Sequence, residues 1–448
     1  MPRRIVIIGA HAAGVDASSA ARKTDRKAEI TLITRQSRAG YSPCGIPFVL
    51  GGHIPSFNNL ILFPQSYFRM MKLDLRLETT ATCIDTKAKT VEIRDKTGKQ
   101  ETLTYDCLIL ATGASPFIPP IKGREKAGLQ VLRTLEDGEK IDRAIKNGAK
   151  TAVVMGAGLI GLETAIALVE RGLKTTVVEL LPQILPAMLD EDMAKVVQEM
   201  LEKKGVNILI GNGVEEFLGT DKVTAISAGG KQISADLFIC AFGIRANVEL
   251  AKKAGLVMGE TRAIKTNMRM ETNIKDVYAA GDCAECIHMI TQRPALSQLG
   301  TTAVRQAKVA GINAASGYAT FHGVLGSAVT KFFGTEIGVT GLTEFFAKRA
   351  GIETVTGKIT SKTRPEYYPG GLPIKIKIVV EKESQRIIGA QIIGGEEVTQ
   401  RIHALSFAMQ KQMTVRELAK ADTAYAPPLN ETWEPMVLAA EMALRKLR

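Results

Sequence analysis

A chain of 448 residues has room for about three domains, each large enough to bury its own core. Its 45% hydrophobic and 23% charged content excludes wholesale disorder, and no run approaches the ~18 consecutive apolar residues of a membrane span. A net charge of +12 suits an anionic ligand, yet the basic residues are scattered and aromatics are only 5%, which argues against a nucleic-acid platform.

The opening MPRRIVIIGA enters a strand at once, with no room for a secretory signal, so a cytoplasmic location is expected and no membrane partner. Residues 4–14, RIVIIGAHAAG, predict a short apolar strand, a tight glycine turn and a helix of small residues. Gly9, Ala12, Ala13 and Gly14 are the candidate phosphate cradle, although His11 stands where G-x-G-x-x-G has its middle glycine. Arg22, Lys23, Arg26 and Lys27 fall on adjacent rows of that helix, as either a solvated face or cations for a phosphorylated adenosine. EITLIT at 29–34 predicts the next strand, and Thr34 ends it where a ribose-binding acid would stand.

YSPCGIPF follows at 41–48. Pro43 suits a helix start, and a thiol at Cys44 near a helix N-terminus would have its thiolate favoured. The bland reading of Cys44 is a buried apolar residue. Cys83, Cys107 and Cys240 sit among strand residues and read as core. LILATGASP at 108–116 closes the first unit with a glycine turn at Thr112 and Gly113.

The opening pattern then repeats as TAVVMGAGLIG at 151–161. Here Gly156, Gly158 and Gly161 complete G-x-G-x-x-G, and Glu179 closes the next strand, KTTVVE. A carboxylate at that place binds a ribose 2′-hydroxyl and repels a 2′-phosphate, so NADH is expected over NADPH. Glu163, on the intervening helix, reads as a cofactor neighbour or as helix packing. LFICAFGIRAN at 237–247 supplies a further glycine turn at Gly243, and VYAAGDCAE at 277–285 places Gly281 and Asp282 at a strand end, where a carboxylate suits a sugar-alcohol hydroxyl. Cys283 and Cys286 form a C-x-x-C beside His288 but lack a second ligand pair, so no metal site is assigned; they read as structural, with a redox pair as the alternative. Residues 298–313 predict a helix whose start, at Leu299, Gly300 and Thr301, could face an anionic ring. Beyond about residue 325, strands with tight turns, as in LPIKIKIVVEKESQRIIGAQIIGG at 372–395, precede helices.

The order of these motifs resembles the FAD-dependent pyridine nucleotide–disulfide oxidoreductases over essentially the whole chain. The resemblance implies an α/β protein with two Rossmann-type nucleotide-binding domains and a C-terminal α+β dimerisation domain. FAD would occupy 1–115 and 241–324, NAD(H) 116–240, and the homodimer interface 325–448. Asp282 would hold the FAD ribityl chain, and Leu299 with the helix after it would face the flavin pyrimidine. Glutathione-reductase relatives carry a second cysteine five positions after the first, where this chain has Val49. That is similar to the single-cysteine branch: CoA-disulfide reductases, NAD(P)H persulfide or polysulfide reductases, NADH oxidases and NADH peroxidases.

The activity so implied passes electrons from NADH through FAD to Cys44 and on to a low-molecular-weight disulfide or persulfide, CoA-linked. In CoA-disulfide reductases Tyr-Pro segments of the partner subunit approach the active cysteine. Here the similar segments hold Tyr367 and Tyr368, and Tyr425. Tyr368 and Tyr425 are the expected proton donors, while Tyr367, Arg22 and Lys23 are the expected substrate contacts. Pro43 and Gly40 depart from the Asn and Ser of those reductases, which keeps persulfides and polysulfides open. Ala12 replaces the histidine of peroxidases and many oxidases, which argues against a dedicated oxidase. No sulfur-transfer domain is expected after the third unit, and an NADH oxidase or a redox sensor with negligible turnover are the alternatives.

Overall fold

The computed structural model describes residues 1–447. Two compact units emerge. The first comprises Met1–Phe117, Arg133–Lys140 and Gly243–Val324; the second comprises Ile118–Leu132, Ile141–Phe242 and the chain from Leu325. The short segment Arg133–Lys140 thus belongs with the first unit, although it lies in the stretch 116–240 expected for the pyridine nucleotide.

The first unit is built on a five-stranded parallel sheet in the spatial order Val277–Ala279, Cys107–Leu110, Arg4–Ile8, Glu29–Ile33, Leu73–Arg76. Ile5, Ile7, Cys107, Leu108, Ile109 and Leu110 are all fully buried, as expected of strands covered on both faces. Helices Ala12–Thr24 and Gly300–Ala314 cross backbone to backbone, since a Cβ on Gly311 would lie 2.2 Å from the Ala17 carbonyl oxygen. The first helix ends at Thr24, so Arg26 and Lys27 lie beyond it and extend no helical row. A second, antiparallel sheet pairs Thr79–Asp85, Thr90–Asp95 and Gln100–Thr104. Cys83 lies in it but is exposed, not core. The register shifts between Ala81 and Cys83, which takes this residue out of the buried alternation.

In the second unit a parallel sheet runs Val206–Leu209, Lys174–Val178, Thr151–Met155, Leu237–Cys240, Leu129–Gln130. The C-terminal sheet is antiparallel, ordered Ala328–Phe332, Thr335–Gly341, Ile387–Gly394, Pro373–Glu381, Thr354–Lys362. Helix Pro435–Leu447 lies on it so closely that a Cβ on Gly357 would meet the Ala439 carbonyl at 1.8 Å. Among the described residues no helix is long and apolar enough to cross a membrane.

Candidate active site

The first glycine turn is a close fit of chain on chain. Gly9 takes φ +118°, and a Cβ there would lie 2.0 Å from the Ala111 carbonyl oxygen; one on Gly14 would lie 1.7 Å from that of Gly9. These two positions hold the start of the helix against the strand ends. Ala12 and Ala13 form its first turn, and the N-cap His11 makes no side-chain capping bond, so the leading N–H groups remain available to an anion. His11 Nε2 lies 2.6 Å from Gln36 Oε1, which also accepts from the Tyr41 hydroxyl at 2.8 Å. Burial lowers the His11 pKa. Thr34 is buried and accepts from the Gln36 N–H at 3.3 Å, so this strand end carries no acid.

At the same carboxyl ends of the strands, Thr112 donates to the Asn247 carbonyl at 2.7 Å, and Gly113 turns with φ +66°. Gly281 turns with φ +82° and leads to Asp282, whose carboxylate meets Arg133 at 2.7 Å. Arg133 escaped sequence reasoning: it stands 149 positions from Asp282, in no recognisable motif. The arginine comes within 3.7 Å of where a Gly113 Cβ would stand, which places a cation beside that turn. Leu299 is the extended N-cap of Gly300–Ala314, with Gly300 and Thr301 exposed in its first turn. Two helix starts, a cation and a strand-end carboxylate around side-chain-free turns fit a dinucleotide such as FAD.

Cys44 lies in a 3-10 turn, Pro43–Gly45, that runs into the short helix Ile46–Leu50, and it is exposed. The turn is held from several sides. The Ser42 N–H donates to the Leu60 carbonyl at 2.9 Å, and a Cβ on Gly45 would press on Leu60 at 2.3 Å. Behind it, a Cβ on Gly138 would stand 2.6 Å from both Ile46 and Phe57. Arg38 clamps the same region by bonding Glu139 at 2.7 Å and Glu136 at 2.9 Å. Burial, then the Glu136 charge, pushes the Tyr41 phenol up to about 12. Val49 is buried in the helix that follows.

The second glycine turn repeats the first. Gly156 takes φ +112° with a hypothetical Cβ 2.3 Å from the Ala241 carbonyl, and one on Gly161 would lie 2.0 Å from that of Gly156. A Cβ on Gly158, by contrast, would meet nothing within 4 Å, leaving space for close approach of a phosphate. Glu179 is buried and accepts from the N–H of Ala157 at 2.7 Å and of Leu181 at 2.8 Å, which fixes its carboxyl group at the strand end. Glu163 accepts from the Thr330 hydroxyl at 2.8 Å, and burial raises its pKa. Gly243 turns with φ +102°, and its carbonyl accepts from the Phe117 N–H at 3.0 Å.

The remaining candidates divide. The Arg22 guanidinium donates to the carbonyls of Met71, Arg26, Ala28 and Lys72, so it staples backbone, whereas Lys23 is exposed. Tyr367 and Tyr425 are exposed and hydroxyl-to-hydroxyl bonded, which holds Tyr367 protonated to higher pH. Tyr368 is half-buried, with its N–H on the Pro365 carbonyl at 2.9 Å. Cys283 and Cys286 are buried and bond separate carbonyls, Cys283 at Leu110 and Ala280 and Cys286 at Ala295. Burial raises both thiols, Cys286 to about 11, which supports the structural reading over a redox pair.

Two parallel sheets, each with a glycine turn feeding a helix, define a protein of two dinucleotide-binding folds. The chain belongs to the pyridine nucleotide-disulphide oxidoreductase family: residues 3–311 match it, and residues 327–437 match its dimerisation domain. Membership implies use of FAD and of NAD(P)H. An "NADH oxidase" of Methanocaldococcus jannaschii is 46% identical over 99% of both chains. The "NAD(P)H sulfur oxidoreductase (CoA-dependent)" of Pyrococcus abyssi is 36% identical over 98% of both. Among solved structures, a NAD-dependent persulfide reductase from A. fulgidus superposes with TM-score 0.96 at 39% identity, covering 99% of this chain and 83% of that one.

Proposed function

We propose that the protein is an NADH-dependent reductase of low-molecular-weight disulfides or persulfides, with CoA-type thiols as the favoured class, working as a homodimer. The observation that carries this reading is the exposed Cys44 in a turn braced from behind, with Val49 where a second redox cysteine would stand. The names of the Pyrococcus and A. fulgidus relatives support the sulfur acceptor. FAD, when bound, supplies the two-electron link between the nicotinamide and sulfur.

The chain's own residues do the rest. Gly156, Gly158 and Gly161 would seat the nicotinamide nucleotide, and the Glu179 carboxylate would accept from its ribose hydroxyl and repel a 2′-phosphate, favouring NADH. The Cys44 thiolate attacks one sulfur of R–S–S–R, forming Cys44–S–S–R as the other R–S⁻ leaves. In the homodimer, Tyr425 of the second copy of the chain, held by its Tyr367, would protonate that leaving thiolate, with Tyr368 alongside. Two electrons then cleave the mixed disulfide, so NADH, one proton and R–S–S–R become NAD⁺ and two R–SH. With a persulfide R–S–SH the products are R–SH and H₂S. Lys23 is the cation retained for a phosphorylated adenosine, given the occupied donors of Arg22.

The test is anaerobic NADH consumption by FAD-loaded protein with CoA disulfide as the only acceptor. Two thiols per NADH, lost in Cys44→Ser, are expected. Unchanged thiol release in Cys44→Ser would defeat the scheme. The second reading, an NADH oxidase, is favoured by the name of the Methanocaldococcus relative; rapid NADH loss only on admitting oxygen, with no thiol released, would select it.

A further inference from the structure

The helix Gly300–Ala314 buries a polar side chain, Gln306, that the cradle described above does not explain. Gln306 is fully buried. Its Oε1 accepts from the Gly281 N–H at 2.8 Å. That peptide needs the partner. The sheet ladder stops one residue earlier, where the Ala280 N–H meets the Leu110 carbonyl at 3.0 Å, and Gly281 then turns with φ +82° toward Asp282. The turn has no slack on its other side, since a Cβ on Gly281 would lie 2.9 Å from the Ala13 methyl.

The other end of the same amide is unsatisfied. Gln306 Nε2 is buried with no acceptor, an arrangement that costs stability. A leucine or methionine would fill the space without that cost, so the amide is there for its carbonyl. We infer that Gln306 is a positioning residue for the first nucleotide cradle: it fixes the Gly281 peptide and so aims the Asp282 carboxylate at the bound cofactor. The inference rests on the FAD reading of that cradle.

The test follows flavin fluorescence as FAD leaves purified wild-type holoenzyme, Gln306→Met, Asp282→Asn and the double variant on dilution. Losing one backbone hydrogen bond should speed release by Gln306→Met roughly five- to tenfold. In the Asp282→Asn background the same change should add less than about twofold, because its effect passes through that carboxylate. Release from Gln306→Met at the wild-type rate overturns the inference, as does the full factor reappearing in the double variant, which would mark a structural role alone. Gln306→Asn, which keeps an amide too short to reach Gly281, gives the same comparison should the Met variant not fold. A wild-type protein that retains no flavin would instead defeat the FAD reading itself.

Discussion

Lys377 offers a test of what holds the second unit together. Its side chain is 1% exposed, and its Nζ lies 2.7 Å from Asp190, 2.9 Å from Asp192 and in contact with Glu344. Asp190 is nearly as buried and also accepts from Gln391 Nε2 at 2.6 Å and from the N–H groups of Glu344 and Phe345 at 3.1 and 3.2 Å. Burial opposes ionisation of Asp190 and Asp192, but the lysine bonds outweigh it and hold both below their ordinary range, Asp192 at about 2. Lys377→Met removes the one cation that, among the described residues, reaches all three carboxylates, and strands the Asp190 charge in the interior. Breaking a buried pair in this way costs about 3–5 kcal/mol. At ~2–4 °C per kcal/mol for a unit of this size, the apparent melting temperature of the variant should fall by roughly 6–20 °C. Lys358→Met, which removes the half-exposed ion pair at the outer side of Asp192, should cost about 1 kcal/mol or less. Circular-dichroism melts of both variants at pH 7 make the comparison, with residual activity per folded molecule measured alongside. The two aspartates also set a sign for pH. Because their folded pKa values are lowered, their contribution is full above the unfolded value of 3.8 and is lost as pH falls toward 2. Lys377 is shifted upward, so its share persists below 10.5 and is lost only in stronger alkali. A Lys377→Met protein melting within 2 °C of wild type, with an unchanged acid transition, would refute the reasoning.

Two further outcomes are expected. Glu179→Ala with Leu180→Arg removes the strand-end repulsion and adds a partner for a 2′-phosphate, so the ratio of kcat/KM for NADH over NADPH should fall at least about tenfold; steady-state rates with each nucleotide decide it, and an unchanged ratio would place the discrimination elsewhere. Gly14→Ala puts a methyl 1.7 Å from the Gly9 carbonyl oxygen, so the purified protein should come away colourless or lose flavin on gel filtration. Normal flavin content at 450 nm would show that helix and strand can part without harm to the cradle.

What was legible in the sequence was local. Gly9, Gly14, Gly156 and Gly161 stand at places where a Cβ would strike a carbonyl, and such contacts lie within a strand, a turn and the following helix, a span a motif can encode. Long-range pairings were not. Arg133 finds Asp282, Arg38 finds Glu136 and Glu139, and Lys377 finds Asp190, each across about 100 residues or more with no pattern at either end. The basic row at 22–27 is not one helical face, because charge spacing does not reveal a helix end: the helix stops at Thr24, and Arg22 caps the emerging backbone. Cys83 misled because a bulge changes which side of a strand faces water.

The burial of Val49 reaches beyond the shape of one short helix. Relatives with a second cysteine at that place keep the oxidised half of their cycle within their own covalent structure, as a ring of a few residues. Under the proposed function, a chain with valine there would hold it either in an adduct with a small thiol or as a sulfenic acid on the lone cysteine. Under the reading proposed here, the resting form of the enzyme is then a property of its surroundings as much as of its sequence, and two preparations from cells with different thiol pools would differ in mass at Cys44 while sharing every atom of the fold.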